Sequence, residues 1–505
     1  MASTSLWGRL VDIGYLILLK EEWRWEILRR TGTALLHVKA TRGGHGATFS
    51  RLLGDILDAF WERIEILEVS AYFRSTYEGD LWDPLARPSE VLKIFRVSLG
   101  DLEHPLQAEK TLFGNDAPNL RELQLIGTAY LRTNIDLSSS WFSQLYHLDV
   151  SGSIFMPRPT LLEWLERLGG MPQLKTLSLS SIFQPVSEDP MPLPVIQLPN
   201  LTDLQVKHDI YSSALLLHHI ETPPGCRLRV ITSEIVTSIS YPARSRFIGE
   251  VLSKYSKRWF SANTKLTNLT LDIKPHSFSV SQSEQNSSGS RGPGGQARTK
   301  FEVCIDVDYS VAFTELLPYV NELFQCVFSH ITMVAMHLHL SPETGYTDSS
   351  HLRNLIANFV HALPEVRVLN TTMQAVAHLT KLPRGAGIPP PFPNLQVLKL
   401  YDAAVFGTAG RIDHGRGIGE TFFRLRQEEK CPIQVLDLTS CSTLHDMSYL
   451  ERAEGMKVSW TDDEGNRREE VCGYGGSLRL RKSRRRTQSL KSEFRCEEMG
   501  VGDEK

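Results

Sequence analysis

The sequence predicts an α/β protein that folds as an irregular solenoid, with parallel strands on a concave face and helices on a convex face. Three observations lead to this prediction: a six-residue apolar pattern recurs, a proline precedes most of its copies, and amphipathic helical segments lie between them. One strand with one helix leaves an apolar face that only a neighbouring unit can cover. Repetition of such a unit therefore favours a stacked array.

The recurring pattern is an apolar residue, two variable residues, an apolar residue, one variable residue and a final apolar residue. Complete copies occupy Ile64–Val69, Leu92–Val97, Leu120–Leu125, Leu145–Val150, Leu174–Leu179, Leu201–Val206, Leu266–Leu271, Leu395–Leu400 and Ile433–Leu438, with a degenerate copy at Val366–Leu369. The first six copies begin 25 to 29 residues apart. This pattern and period are typical of leucine-rich repeats. The alternative is a single α/β sheet whose leucine-rich strands are alike by coincidence.

Alternation along each copy decides which side chains face the core. In a strand, Leu123 and Leu125 point to one side and Gln124 points to the other. A breaker precedes most copies: Pro118-Asn119, Pro172-Gln173, Pro199-Asn200, Pro364-Glu365, Pro393-Asn394 and Cys431-Pro432. Proline ends a preceding helix and favours an extended entry into the strand.

Helical patterns fill the intervals between the copies. We predict helices at Glu21–Arg30, Thr48–Phe60, Thr160–Leu168, Tyr211–Ile220, Arg244–Phe260, Ala312–Ser329, His351–Leu363 and Gly419–Glu429. Gly32 is expected to end the first of them. Thr160 is a predicted N-cap, and Glu163 completes a capping box with it.

Composition divides the chain into five segments. We assign 1–45 to an N-terminal cap, 46–274 to the first part of the solenoid and 301–453 to its second part. Residues 275–300 are rich in serine, glycine, glutamine and proline, so we predict a disordered insertion there. Residues 454–505 are polar and charged, and we predict a mostly disordered tail.

Charge and cysteine content narrow the function classes. The net charge of −3 over 505 residues gives no global electrostatic reason to expect nucleic acid or membrane as a partner. The seven cysteines are scattered, odd in number and form no C-x-x-C pair, which indicates reduced thiols and a cytoplasmic or nuclear protein. We expect neither a secretory signal nor a transmembrane helix, because no run of 18 apolar residues occurs.

The sequence gives no basis for catalysis, a cofactor or a metal. His337 and His339 share one face of a predicted strand, but we find no third ligand in register, so we interpret them as polar surface residues. Gly415–Gly419 has a G-x-G-x-G pattern, which differs from the dinucleotide-binding fingerprint, and we predict a flexible loop there. No nucleophile elbow, metalloprotease or P-loop pattern is present.

Four segments share a likeness with one known family: SLWGRLVDIG at Ser5–Gly14, WRWEILRRTGTALLHVKA at Trp23–Ala40, Leu161–Leu179 and Leu215–Val230. In this order they resemble the fungal, mainly basidiomycete, family of F-box proteins with divergent leucine-rich repeats. The resemblance implies a substrate-recognition subunit of a cullin-type ubiquitin ligase, docked through its F-box onto a Skp-type adaptor. An F-box is expected before Ser5, where only four residues stand. We therefore expect no recognisable F-box in this chain and no capture of the adaptor by it.

The predicted binding surface consists of the solvent-facing strand positions. They are Glu68, Arg96, Gln124, Asp149, Ser178, Gln205, Thr270, Lys399 and Asp437. Their mixed charges favour a protein partner over a phosphate backbone, and Arg96 is the first candidate for a hot spot. A stand-alone scaffold that only binds partners, with no link to ubiquitin, is the second hypothesis.

A basic run in the tail has two interpretations. Its cationic residues are Arg481, Lys482, Arg484, Arg485 and Arg486, next to Arg479. The run could serve as a nuclear import signal, or it could be a solvated segment without a specific role. No aromatic residue interleaves it, so nucleic-acid binding through base stacking is not expected.

Overall fold

A computed structural model describes most of the chain. The described residues are 4–9, 11–40, 47–71, 79–99, 110–127, 133–151, 158–186, 192–232, 242–265, 267–274, 277–283, 299–306, 324, 328–339, 350–384, 389–401, 412–441, 448–462 and 464–473. They form an α/β fold in which 18 strands build mostly parallel β-sheet. The chain divides into two compact units, Met1–Arg367 with Lys381–Asn394 and Val368–Thr380 with Leu395–Lys505.

The strands of the described residues are β1 (Val11–Asp12), β2 (Leu36–Ala40), β3 (Ile64–Ala71), β4 (Ile94–Leu99), β5 (Lys110–Thr111), β6 (Glu122–Ile126), β7 (Thr133–Asn134), β8 (His147–Ser151), β9 (Thr176–Ser180), β10 (Ile196–Gln197), β11 (Asp203–Lys207), β12 (Ile220–Glu221), β13 (Arg227–Thr232), β14 (Asn268–Lys274), β15 (Ser277–Ser283), β16 (Thr299–Asp306), β17 (Met333–Leu338), β18 (Val368–Thr371), β19 (Val397–Leu400), β20 (Val435–Leu438), β21 (Lys457–Thr461) and β22 (Arg467–Val471).

The helices are α1 (Thr4–Gly8), α2 (Ile13–Leu16), α3 (Glu21–Arg30), α4 (Ala47–Phe60), α5 (Leu161–Gly169), α6 (Ile210–His218), α7 (Pro242–Ala262), α8 (Ser350–His361), α9 (Met373–Thr380) and α10 (Ile412–Glu428). Short 3-10 helices lie at Trp61–Arg63, Gly79–Ala86, Leu112–Asn115, Ser140–Gln144 and Ser448–Arg452. None of these helices is both long and apolar enough to span a lipid bilayer, as far as the described residues go.

In the first unit, strands follow one another in parallel from β1 through β2, β3, β4, β6, β8, β9, β11 and β13 to β16. Strand β15 then pairs antiparallel with both β16 and β14, and β17 is parallel to β14. In the second unit β18, β19, β20 and β21 are parallel, and β22 returns antiparallel to β21.

Period-two alternation builds the core of the first unit, as predicted. In β6 and β9 the residues alternate between buried and half-buried, and Leu123, Leu125 and Leu177 have no exposed surface. Fully burying one leucine contributes about 1.5–3 kcal/mol, so repetition of this pattern supplies most of the stabilisation of a stacked sheet.

Asparagines after the predicted prolines tie neighbouring repeats together. The side-chain amide of each donates to a carbonyl one repeat earlier: Asn119 to Glu90 at 2.5 Å, Asn200 to Pro172 at 2.9 Å and Asn394 to Pro364 at 3.1 Å. The Pro-Asn dipeptides therefore fix the entry of a strand against the preceding unit as well as ending the segment before it.

Six of the eight predicted helices are confirmed within a few residues at each end, and a seventh, predicted at Gly419–Glu429, begins seven residues earlier at Ile412. The capping box of α5 is present, since Thr160 Oγ1 accepts from the Glu163 amide at 3.3 Å and Glu163 Oε2 accepts from the Thr160 amide at 2.6 Å. The eighth, Ala312–Ser329, falls largely outside the described residues.

The prediction of disorder across 275–300 is wrong for two parts of that segment, one near its start and one at its end. Ser277–Ser283 forms β15, and β16 begins at Thr299. Although β15 is rich in serine, Phe278 and Val280 alternate with the serines and are buried. A short alternating segment inside polar sequence therefore became a strand; the residues 284–298 lie outside the described part.

The order of strands also differs from a simple sequential stack. In a sequential stack the copy at 266–271 would pair with the strand before it, but β13 pairs with β16 instead of β14. Strands β15 and β16 are thus placed between β13 and β14. The reason is that β14 and β15 form a tight antiparallel pair, Lys274 opposite Ser277, whose far side accepts β16.

The predicted disordered tail is wrong for its first twenty residues. Strand β21 (Lys457–Thr461) pairs in parallel with β20. Strand β22 (Arg467–Val471) forms an antiparallel hairpin with β21, and Gly465 between them has a φ of +84°. The many charges are paired across the hairpin, with Lys457 2.5 Å from Glu469. Residues 474–505, including the basic run, lie outside the described part.

The predicted loop at Gly415–Gly419 is also wrong, because these residues belong to α10. Glycine costs about 1 kcal/mol per residue in a helix, so packing farther along must offset it. Phe422, Phe423 and Arg426 are all buried on the same helix and provide that packing.

Candidate functional site

Register across the parallel strands of the first unit places one outward-facing residue of each strand in a single transverse row, which we call the central row. From β2 to β16 it consists of Lys39, Glu68, Arg96, Gln124, Asp149, Ser178, Gln205, Arg229 and Glu302. Each is exposed or half-buried, whereas its neighbours along the strand are buried. Adjacent members lie on strands about 4.8 Å apart, so the row is a continuous polar surface.

The central row contains six of the nine predicted binding residues, from Glu68 to Gln205. Thr270 continues it, because Glu302 is opposite Ser281 and Ser281 is opposite Thr270. Lys399 and Asp437 are register partners in the second unit, where Asn370 and Ser459 flank them.

Sequence analysis missed three members of the row: Lys39, Arg229 and Glu302. Their strands carry only part of the six-residue pattern, in LHVKA, RLRVIT and TKFEVCID. Alternation of polar and apolar residues was the available signal, and it is present in all three.

One end of the row is an ionic ladder, defined here as Lys39, Glu68, Arg96, Glu122 and Tyr146. Lys39 Nζ lies 3.2 Å from Glu68, and Glu68 accepts from Arg96 at 2.7 Å. Arg96 also donates to Glu122, which in turn accepts from the Tyr146 hydroxyl. The ladder links four strands through side chains alone.

Titration within the ionic ladder follows from these contacts. Burial opposes ionisation of Glu122, but hydrogen bonds from Tyr146 and Arg96 overcome it and hold the pKa of this carboxyl below its ordinary value. Burial, together with the bond to Glu122, raises the pKa of Tyr146 to about 12. Glu122 therefore keeps its charge, and Tyr146 its proton, across the neutral pH range.

These contacts change what the Arg96 side chain can contribute to binding a partner. Its guanidinium already bonds two carboxylates, and its side chain is 40% exposed. The predicted hot-spot residue thus stabilises the sheet, and any partner must share its remaining donors.

The middle of the row is different in character. Gln124 Nε2 donates to Asp149 at 2.9 Å, while Ser178 and Gln205 make no side-chain hydrogen bond to the described residues. Thr176 and Ser180 flank Ser178 on the same face. Ser178 and Gln205 therefore offer uncharged hydrogen-bonding groups to a ligand, and no ion pair has to break first.

Ion pairs resume beyond the middle. Arg227 Nη1 lies 3.1 Å from Asp203, and Arg229 Nε lies 2.8 Å from Glu302. The polar stretch of β8, β9 and β11 is therefore bordered on both sides by internally neutralised charges.

A second polar group lies where β16, β15, β14 and β17 meet. Cys304, Ser279, Asp272 and His337 are register partners across these strands. From the sequence we found no third ligand in register with the two histidines, and this was wrong, since Asp272 stands opposite His337. The antiparallel hairpin, which the sequence did not indicate, created the arrangement.

This group does not meet the requirements of a metal site. Asp272 is 3.0 Å from Lys274 and 3.7 Å from His339, so its carboxylate is already engaged by a cation. Within the described ranges, no three His, Cys, Asp or Glu side chains are close enough to hold a metal ion.

It does not supply an activated thiol either. Burial, and then the nearby carboxylates of Asp306 and Glu302, raise the pKa of Cys304 to about 12. A thiol of such a high pKa stays protonated near neutral pH, and the thiolate is the nucleophile. Burial also lowers the pKa of His337.

A cleft of about 730 Å³ lies beside Trp61. Arg87, which lines it, is bound to Asp58 at 2.5 Å, and Arg63 donates to the Ala34 carbonyl at 2.8 Å. Both cations that could hold an anionic ligand are therefore engaged, and the central row remains the stronger candidate.

Comparison with known proteins adds no relative: no protein-family model matches the chain, and no curated protein matches it.

Proposed function

We propose that this protein is a non-catalytic recognition module that binds a protein partner on the outward strand face of its first unit. In its more specific form, the proposal is a substrate receptor of the F-box and leucine-rich-repeat type for a cullin-type ubiquitin ligase, or a truncated relative of such a receptor. The compartment that goes with it is the cytoplasm or the nucleus.

The observation that carries the proposal is the composition of the central row. Its members differ from strand to strand in charge, size and hydrogen-bonding capacity. A face that served packing alone would need no such variety, whereas recognition of a particular protein surface does.

The charge pattern favours protein over nucleic acid. A phosphate backbone is bound by a stripe of unpaired Lys and Arg. In the central row, Lys39, Arg96 and Arg229 are each paired with a carboxylate. A mixed surface of this kind suits the polar groups of a protein.

The contact is proposed to centre on Ser178 and Gln205. Both side chains face outward, and neither must leave a hydrogen bond within the described residues to meet a partner. In a complex centred on these two residues, the residues of the ionic ladder lie at the rim of the interface. Exposed ion pairs at a rim contribute little to the affinity.

Site-specific crosslinking tests the proposal. A photo-reactive amino acid at Ser178 or Gln205 should give the same crosslinked partner in cells, identified by mass spectrometry. The matched control is Glu166, which is exposed on α5. Crosslinks at Glu166 with none at the strand positions would contradict the assignment of the surface.

The two forms of the proposal differ in their consequences. A substrate receptor should shorten the lifetime of its crosslinked partner in a manner that depends on cullin activity. A stand-alone scaffold should leave that lifetime unchanged when the chain is removed. Measuring the half-life of the partner with and without the chain separates them.

A further inference from the structure

Exposed apolar side chains of the first unit are concentrated near the start of the chain. Among the described residues nine large apolar side chains are exposed, and seven of them lie between Leu6 and Leu35, a range that we call the N-terminal surface. Four are more than half exposed: Leu6 at 57%, Tyr15 at 56%, Leu18 at 77% and Trp23 at 59%. Scattered exposed apolar residues are ordinary, but such a concentration marks an interaction surface.

The place of this surface in the fold explains the exposure. Its residues lie on α1, α2 and α3, on the turn after α2, and at Leu35 just before β2. Strand β1 lies among these elements and pairs with β2 at the start of the strand order. Each unit of a stacked array covers the apolar face of its neighbour, and the units at the ends lack one neighbour. Among the described residues β2 is the one strand that pairs with β1, so the apolar side chains at this end are available to a partner.

The surface is held in a fixed shape. Arg24 donates through Nε to the carbonyls of Leu16 and Leu19 and through Nη2 to that of Ile17, each at 2.9 Å. This clamp joins the turn that carries Leu18 to the helix that carries Trp23. A rigid apolar surface loses little conformational entropy when it associates.

The distribution of charge on α3 indicates which partner fits. The helix begins with Glu21 and Glu22 and ends with Arg29 and Arg30. When two copies of such a helix lie antiparallel, the acidic start of each faces the basic end of the other. Arg29 is bonded to Glu26, but its side chain remains 74% exposed and keeps donors for a second carboxylate.

We propose that this protein forms a two-fold symmetric dimer through the N-terminal surface, with the α3 helices of the two copies antiparallel. A two-fold interface uses the same surface on both copies, so the surface must be complementary to itself, as the charges of α3 are. With large apolar side chains of about 150–250 Å² each, the seven expose on the order of 600 Å², close to the about 800 Å² per partner of a standard interface.

An anionic lipid surface fits less well. Interfacial helices that bind such lipids carry an excess of Lys and Arg on their polar face. On α3, Glu21, Glu22 and Glu26 balance the arginines. An apolar centre with a polar rim is the usual composition of a protein–protein interface.

Sedimentation velocity of the full chain at micromolar concentration tests the proposal. The expected mass is twice that of the 57.0 kDa chain. Trp23→Glu should weaken dimerisation at least about tenfold, since it places a charge in the apolar centre. The control Val195→Glu changes another side chain, 58% exposed outside the N-terminal surface, and should leave the dimer intact.

A charge exchange tests the antiparallel arrangement. Glu22→Arg alone and Arg29→Glu alone should each weaken the dimer, because each sets like charges against one another. The double variant should restore it. Circular dichroism of every variant verifies that the fold is retained.

Three outcomes would overturn the proposal. The first is a wild-type chain that stays monomeric throughout the concentration range, whether or not it sediments with anionic vesicles. The second is a dimer that Trp23→Glu leaves unchanged. The third is a double charge exchange that fails to restore association. None of them bears on the strand face, so the proposed recognition function stands or falls separately.

Discussion

The indole nitrogen of Trp259 on α7 donates a 2.7 Å hydrogen bond to Oε1 of Gln282 on β15, and both side chains are buried. This bond ties the unexpected strand to the longest helix of the first unit. It also explains how a glutamine occupies a position that alternation reserves for an apolar residue.

Loss of that bond should destabilise the first unit. Gln282→Leu keeps the volume similar but leaves the indole N–H buried without its acceptor, which should lower the free energy of unfolding by about 1–3 kcal/mol. Ser281→Ala, on the outward face of the same strand, is the matched control and should change it little. Urea unfolding followed by tryptophan fluorescence measures both. Equal losses would contradict the register of β15.

The inward positions of the complete copies should be far more sensitive than the outward ones. Leu177 is fully buried and lies between Leu148 and Leu204 in register. Leu177→Ala should therefore cost about 2–5 kcal/mol, whereas Thr176→Ala, one residue away, should cost little. Thermal unfolding of the two variants decides the matter. A larger loss for Thr176→Ala would reverse the assignment of the faces.

The ionic ladder should contribute to stability in a salt-dependent way. Arg96→Met removes the only cation that contacts both Glu68 and Glu122 among the described residues, and the two carboxylates then face each other without it. We expect a loss of about 1–2 kcal/mol at low salt that shrinks as salt screens the repulsion. Lys93→Met, which breaks one exposed pair with Glu65, is the control. A loss independent of salt would show that packing of the arginine stem is responsible.

A buried pair at the start of α6 should make stability depend on pH. Asp209 accepts from the Ser212 amide at 2.9 Å, and its other oxygen is 2.6 Å from His208 Nδ1. Burial opposes ionisation of this carboxyl, but the bonds from His208 and Ser212 prevail and its pKa in the folded protein is lowered below the ordinary 3.8.

The sign of the effect follows from that lowered pKa. The unfolded chain takes up the proton first as the pH falls, so the stabilisation is present above the ordinary pKa and is lost as the pH falls through the folded value. Urea midpoints measured from pH 6 down to about pH 3 should therefore fall less steeply for Asp209→Asn than for the wild type. Glu62→Gln, at an exposed position, should leave the slope unchanged. Parallel slopes for Asp209→Asn and wild type would refute this assignment.

Much of the outward strand face could be predicted from the sequence because the same alternation of apolar and polar residues recurs in each copy. Leu123 and Gln124 show why: once a copy is recognised, the face of every residue in it follows from a period of two. Register followed as well, because equivalent positions in equivalent copies align. This is how Glu68 and Gln205, five strands apart along the sheet, could be assigned to one surface.

The rest depended on contacts between distant segments. Glu122 completes the ionic ladder only because Arg96 of the preceding strand reaches it diagonally, a pairing that requires the register to be known first. Asp272 meets His337 only through the hairpin of β14 and β15. The strands at 457–471 were missed because their charges neutralise one another in pairs, and a single residue does not reveal its partner.

The pairing of β13 with β16 has a consequence for how the chain reaches its native state. From β2 to β13 each new strand of the large sheet pairs with the previous strand of that sheet, so this part can grow by successive short-range steps. The next step needs the chain between Thr232 and Thr299 to close into a loop that already contains α7, β14 and β15. Loop-closure entropy is lost before those contacts form. Folding of the first unit should therefore pause once β13 has formed, until β14 and β15 have paired. A pause in translation after this point would allow time for that pairing.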